Sequence, residues 1–262
     1  MPVKVGAEIR VLPEGEFAEL ASEAMGHVFA IHKEFGRFFD ESIYKRELAR
    51  RMAGVQLEVP IEVRFEPFRA WYRLDVLVRG GAAFEFKAAE ALVDRHRSQL
   101  LNYLLLSGLA RGKLVNVRCE QVQHEFVNSV LDRTDRTQFS VDHTFWNIED
   151  NGSLLEWVVA LLRNLGTGLD VSLYEDAITQ FLGGSEVVEK QVAVFTGDNC
   201  LGSQPFRHVR PGSALKVTAI NDDLTAFEAH ACRLLSHTRL ESIEWINVGR
   251  HRVTFRTLQK AH

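Results

Sequence analysis

The sequence predicts an α/β fold, a mixed four-stranded sheet with flanking helices, laid down twice along the chain. Three observations carry this. Segments with apolar residues at helical spacing are interleaved with short segments that alternate with period two. One helical segment joins two short apolar strands, as a crossover between parallel strands does. Residues of the first half recur in the second at a nearly constant offset.

In chain order, Phe17, Leu20, Ala24, Val28 and Ile31 predict a helix over residues 15–35, broken at Gly36. A second helix is expected from near Phe38, carrying Ile43, Tyr44, Leu48 and Met52, with Gly54 as its C-cap. Val55, Leu57, Val59, Ile61, Val63 and Phe65 alternate as a strand. Pro67 marks a turn, and residues 71–78 and 83–88 form a hairpin. Residues 93–107 read as a helix closed by Gly108, followed by strands at 114–117 and 122–130.

Gly36, Ser42 and Tyr44 match Gly166, Ser172 and Tyr174 at an offset of 130, and Asn116-Val117 matches Asn247-Val248 at 131. Between them the pattern recurs: a helix, Gly183-Gly184, a strand at 187–195, turn residues, a strand at 214–220, a helix at 225–235 and a strand at 243–248. The expected organisation is a first domain over 1–131, a connection over 132–152 and a second copy over 153–262. This makes a pseudo-dimer within one chain, and a homo-oligomer is the other arrangement considered.

Composition bounds the class. The chain has 262 residues, 46% hydrophobic and 25% charged, as in ordinary globular proteins. No run of about 18 apolar residues is present, so no membrane span is expected. Met1-Pro2-Val3-Lys4 does not begin a signal-peptide apolar core. Cys119, Cys200 and Cys232 lie far apart without a Cys-x-x-Cys pair, which argues against a disulfide framework or zinc site and fits a reducing cytoplasm. The net charge of −4 counts against a broad basic nucleic-acid surface, although Arg46, Arg50, Arg51, Arg95, Arg97 and Arg111 can form a local basic rim. No Gly-rich phosphate loop, nucleophile elbow or marked Ser-His-Asp triad occurs.

Chemistry concentrates in residues 73–87. Asp75 precedes an apolar run, Gly80-Gly81 turns the chain, and Glu85-Phe86-Lys87 lies in a second apolar run. Period-two alternation puts Glu85 and Lys87 on one face. Carboxylate oxygens there suit a hard divalent cation, and a neighbouring ammonium can orient water or stabilise phosphate charge. A two-residue Gly80-Gly81 turn would set Asp75 opposite Phe86 and point it away from Glu85. Convergence of the acids therefore requires an odd-membered loop or a bulge.

With these residues in place, positions 25–128 resemble the PD-(D/E)XK nuclease superfamily, in its GxxExxY branch. The resemblance rests on Ile31-His-Lys-Glu-Phe-Gly36, Asp40-Glu41-Ser42-Ile43-Tyr44, Glu47-Leu48, Asp75 with Glu85-Phe86-Lys87, His96-Arg-Ser-Gln99-Leu-Leu-Asn-Tyr103-Leu, and Lys113-Leu-Val-Asn-Val-Arg118. Phe38 departs from it, standing where the family usually has a second Gly. The resemblance implies an αβββαβ core like that of restriction endonucleases and a divalent-metal-dependent nuclease. DNA is preferred over RNA as substrate, and Mg²⁺ or Mn²⁺ is the cofactor.

The resemblance assigns Asp75 and Glu85 as metal ligands and Lys87 as the residue that orients water or stabilises charge. Glu41 joins the metal site directly or through water, or else complements the N-terminus of its helix. Gln99 holds a phosphate or the water network. His96, Arg97 and Tyr103 are candidate substrate contacts. Tyr44 reads as a packed aromatic. In the second copy Asp75 maps to Phe206, Glu85 to Lys216, Lys87 to Thr218, Gln99 to His230, and Glu41 to Val171 or Ser172, so that copy is expected to be non-catalytic. It could serve as a scaffold or bind a protein partner. The alternative for the whole chain is a module that binds nucleic acid or protein without cleaving.

Overall fold

The computed structural model describes residues 2–260, with the backbone alone at 148 and 150; the outermost positions of the two expected domains (1, 261 and 262) lie outside the described residues. The chain divides into two compact units: residues up to 64 with 69–133, and residues 65–68 with 134 onward.

The first unit runs β1 (Val3–Val5), α1 (Glu14–Phe35), α2 (Glu41–Arg51), β2 (Val55–Phe65), β3 (Phe68–Val78), β4 (Ala82–Lys87), α3 (Asp94–Ser107), β5 (Arg111–Asn116) and β6 (Gln123–Asn128). The six strands are ordered β1-β2-β3-β4-β5-β6. β4 and β5, joined through α3, are parallel. The β1–β2, β3–β4 and β5–β6 pairs are antiparallel. Phe17, Leu20, Ala24, Val28 and Ile31 of α1 are buried against alternate residues of the central strands, among them Val76, Val78, Phe84, Phe86 and Val115.

The second helix begins later than its sequence suggests. Asp40 takes the N-cap position, which leaves Phe38 and Phe39 exposed ahead of it. Its C-terminus is Arg51, with Met52 already extended. Gly54, at φ +80°, therefore lies in the turn into β2 rather than capping the helix.

The second unit runs α4 (Arg133–Thr137), β7 (Ser140–Phe145), α5 (Ile148–Leu165), α6 (Val171–Phe181), α7 (Ser185–Val188), β8 (Glu189–Thr196), β9 (Asn199–Arg210), β10 (Ser213–Thr218), α8 (Thr225–Ser236), β11 (Ser242–Val248) and β12 (Arg252–Gln259). Its sheet is ordered β7-β12-β11-β10-β9-β8. β10 and β11, joined through α8, are parallel, whereas β8–β9, β9–β10 and β11–β12 are antiparallel.

Each sheet thus has six strands where four were expected. β6, the strand expected over 122–130, and β12 extend the sheets beyond the parallel pair; β1 adds to the first sheet on β2, at the edge away from β6, and β7 adds to the second on the outer side of β12. β9 occupies a stretch that reads as turn residues. Its first seven residues are all exposed, so its sequence lacks alternation and the strand is defined by pairing with β8.

The two units share element order and specific bonds. The Tyr44 hydroxyl donates to the Gly36 carbonyl, and the Tyr174 hydroxyl donates to the Gly166 carbonyl at 2.6 Å. Asn116 Oδ1 accepts from the Ala89 N–H at 3.1 Å while its Nδ2 donates to Ala89 O at 2.8 Å. Asn247 does the same with Ile220, at 2.8 and 2.9 Å. Both amides are buried, and each satisfies a donor and an acceptor where the chain leaves the second strand of the hairpin.

Candidate active site

The hairpin register decides whether the acids can meet. Val76 pairs with Phe84, Leu77 with Ala83 and Val78 with Ala82, which leaves a three-residue loop, Arg79-Gly80-Gly81. Arg79 (φ +46°) and Gly80 (φ +71°) both take left-handed conformations in it. The ladder ends at Val76–Phe84, one step short of Asp75 and Glu85, so the odd loop leaves these two residues across from each other, and the charge of Asp75 acts on Glu85. The odd loop is the one the chemistry required.

Asp75 anchors to the neighbouring strand, its Oδ2 accepting from the Phe86 N–H at 3.0 Å. Glu85 is 1% exposed, and Lys87 Nζ donates to its Oε1 at 2.6 Å. Glu85 Oε2 is buried and without a hydrogen-bond partner. Burial, then the charge of Asp75, push the Glu85 carboxyl up to about 7, against the pull of Lys87. Burial and Asp75 also raise Glu41, against the pull of Lys87 and Lys45. Glu41, Asp75, Glu85 and Lys87 therefore share one electrostatic neighbourhood.

Gln99 and Tyr103, one turn apart on α3, bond to each other, Gln99 Nε2 donating to the Tyr103 hydroxyl at 3.0 Å. Burial raises the Tyr103 hydroxyl, and Glu85 and Asp75 add to the effect. His96 is 5% exposed, and its Nδ1 accepts from the Val93 N–H at the start of α3. Burial and then the neighbouring cations lower His96 and favour the neutral ring. Arg97 is bonded to Asp94 and Glu125. Most of the predicted basic rim is neutralised in the same way, Arg50 and Arg51 by Glu47 and Arg111 by Glu14.

Two residues of the site were not singled out from sequence. Lys45 on α2 is buried and donates to Asp75 Oδ1 at 2.9 Å and to Glu58 Oε1 at 2.6 Å. Burial acts to lower the Lys45 ammonium, but the two carboxylates outweigh it and the pKa is raised. Glu58 reaches Lys45 from β2 at φ +52°, a backbone conformation uncommon outside glycine. A signal for Lys45 existed: positions 41, 44, 45 and 48 form one helical face, which places this lysine beside Tyr44 and Leu48 on the buried side.

The donor set can be tested against a divalent cation. Two carboxylates on one face, one with a buried oxygen lacking a partner, suit a hard cation that would relieve their repulsion. Among the described residues no cluster of three or more His, Cys, Asp or Glu side chains forms a cage. The remaining coordination would fall to water and substrate, as is usual for Mg²⁺.

Comparison with known proteins agrees with this arrangement. The sequence model of the PD-(D/E)XK nuclease superfamily matches residues 18–128. The matched segment spans α1 to β6 and contains Asp75, Glu85 and Lys87. Members of the superfamily are mostly nucleases that use divalent metals. Among solved structures, the crystal structure of SSO0001 is similar at 22% identity, over 46% of this chain and 61% of that one, with a TM-score of 0.30. No curated protein matches. No described helix is long and apolar enough to cross a membrane.

The second unit has helices and strands in an order like that of the first unit, with different chemistry at the corresponding positions. Lys216 lies over the Phe206 ring at 5.1 Å, where the first unit has Glu85 and Asp75. Thr218 donates to Asn247 and accepts from the Trp245 indole at 2.8 Å. His230 is exposed. No carboxylate pair occupies these positions.

Proposed function

We propose that the first unit hydrolyses phosphodiester bonds in nucleic acid, with DNA preferred over RNA, and that the second is a degenerate, non-catalytic copy. The observation that carries the reading is the three-residue turn that sets Asp75 opposite Glu85 beside Lys87, within a segment of a nuclease superfamily. Asp75 and Glu85 are the proposed ligands of Mg²⁺ or Mn²⁺, with Glu41 as an outer carboxylate. When bound, the cation neutralises a non-bridging phosphate oxygen and acidifies a water.

The chain's own residues do the rest. Lys87, held 2.6 Å from Glu85, orients the attacking water and stabilises charge developing on phosphorus-bound oxygen. Gln99, linked to Tyr103, positions the phosphate. The water oxygen bonds to phosphorus, the bond from phosphorus to the leaving oxygen breaks, and the water's proton ends on the leaving group. The shared Tyr–Gly bond and Asn clamp support a duplication, and Phe206, Lys216 and Thr218 support loss of function in the second copy. We assign the protein to the cytoplasm on its cysteine usage.

A second reading, a module that binds nucleic acid or protein without cleaving, is favoured by one observation. Lys45 and Lys87 already give both carboxylates a cationic partner. Calorimetric titration with Mg²⁺ and Mn²⁺, with cleavage assays on matched DNA and RNA, separates the two. Metal binding with cleavage supports the nuclease. Absence of both supports the binding module.

A further inference from the structure

Two exposed aromatic residues flank the acids, and each is framed by arginine. Phe38 is 75% exposed, with the guanidinium of Arg37 5.2 Å and that of Arg118 6.0 Å from its ring centre. These three residues line a cavity of about 360 Å³ with Glu90, Cys119 and Glu120. Trp71 is 57% exposed, with the Arg69 guanidinium 5.2 Å from its ring centre, and exposed Arg73 lies between Trp71 and Asp75 along β3.

Register places both aromatics at the site's end of the sheet. β3 runs antiparallel to β4, so its residues before Asp75 extend beyond Lys87. Trp71 and Asp75 are four residues apart, about 13 Å along a strand. On the other side β5 runs parallel to β4, with Asn116 beside Lys87, so residues 117–120 leave the sheet at that same end. The Val117 N–H donates to Lys87 O at 2.9 Å. Phe38 stands three residues before Glu41, whose carboxyl feels the charges of Asp75 and Lys87. In the sheet β4 lies between β3 and β5, so Trp71 and the Phe38 cluster fall on opposite flanks of Glu85 and Lys87.

The chemistry favours flat rings over free anions. Glu90 and Glu120 offset Arg37 and Arg118 within the Phe38 cavity, and Arg69 also bonds Glu62. Neither cluster is a general anion trap. An aromatic face beside a planar guanidinium is a stacking surface for a nucleobase. Bases in a duplex already stack on each other, so two separated platforms suit unpaired bases. The non-catalytic copy lacks the feature, since Thr167 and Gly168 follow Gly166 where Arg37 and Phe38 follow Gly36.

We propose that Phe38 with Arg37 and Arg118, and Trp71 with Arg69, are two base-stacking platforms that bind single-stranded nucleic acid across the acids, the strand between the stacked bases lying over Asp75 and Glu85. The proposal deepens the phosphodiesterase reading by naming the substrate as single-stranded. Its binding claim can be tested apart from cleavage.

The test is fluorescence anisotropy of a labelled twelve-nucleotide thymidine strand and of a twelve-pair duplex, at low salt with EDTA. Proteins are the wild type, Phe38→Ala, Phe38→Trp, Trp71→Ala and the double alanine variant. Both side chains are solvent-exposed, so the variants keep the wild-type thermal midpoint. Expected results are preference for the single strand, about tenfold weaker binding in each alanine variant and near wild-type binding for Phe38→Trp. Millimolar inorganic phosphate should not compete. Equal or better duplex binding, alanine variants that bind like wild type, or no binding of the single strand overturns the proposal, the last outcome pointing to a protein ligand for these aromatics. Adding Mg²⁺ separates the two readings. Binding that follows the expected pattern without cleavage overturns the hydrolase and keeps the platforms. Cleavage without the pattern does the reverse.

Discussion

Lys45 and Asp75 form a buried ion pair at 2.9 Å, and the lysine's second partner, Glu58, lies 2.6 Å away. A protein cation thus fixes a candidate metal ligand before any metal arrives. Replacing Lys45 with Met leaves Asp75 without its countercharge in a mostly buried setting. The expected cost is about 3 kcal/mol of stability in urea unfolding, the scale of breaking a buried pair. Lys45→Arg should cost less, and Mg²⁺ should restore part of the loss in Lys45→Met. A variant as stable as wild type would show that the pair is not structural.

Asp75→Ala removes a proposed ligand, and Lys87→Ala removes the charge proposed to orient water. Each should lower phosphodiesterase turnover at least about 10²-fold. Lys87→Ala also takes the cationic partner from buried Glu85, so turnover is compared well below the thermal midpoint of each variant. Substitutions at Phe206, Lys216 and Thr218 should leave turnover unchanged. Wild-type cutting by Asp75→Ala would place the activity elsewhere.

Glu85 sets a pH dependence in metal-free protein. Its folded pKa of about 7 lies above the ordinary value of 4.5. Below pH 4.5 the group is protonated in folded and unfolded chains alike, and its contribution to stability is fully present. As pH rises towards 7 the unfolded chain ionises first, and that contribution is lost. In EDTA the wild type should therefore lose stability relative to Glu85→Gln between about pH 4.5 and 7. Parallel melting curves for the two proteins across that window would refute the raised pKa.

Asn116 and Asn247 should be equivalent in mechanical role though not in catalysis. Each buried amide satisfies one backbone donor and one acceptor. Asn→Ala at either position should cost about 2–3 kcal/mol by leaving those groups unpaired. Chemical denaturation of both variants measures it. Asn247→Ala, in the unit proposed to be non-catalytic, should still cleave.

Much of the fold is legible because burial writes itself into alternation. β2 runs Val55–Phe65 as its apolar alternation indicates, and α3 ends at Gly108, which adopts φ +78°. β9 is not legible, because exposed residues from Asn199 to Pro205 leave no pattern. β1 has only three residues, too few to show a period. At the site, Asp75, Glu85 and Lys87 are close in sequence, and one hairpin register brings them together. Lys45 and Glu58 come from separate elements, and the positive φ at Glu58 that completes their contact leaves no mark on residue type.

The turn at Arg79-Gly80-Gly81 has a genetic consequence. Loss of a single codon there, in frame, would spare every proposed site residue. A two-residue turn would nevertheless rotate Asp75 to the side of the sheet opposite Glu85. Such an allele would look intact to any inspection of its motifs and would encode a protein unable to gather its two acids. The number of residues between Val78 and Ala82 therefore decides, as much as the acids themselves do, whether the two carboxylates can meet.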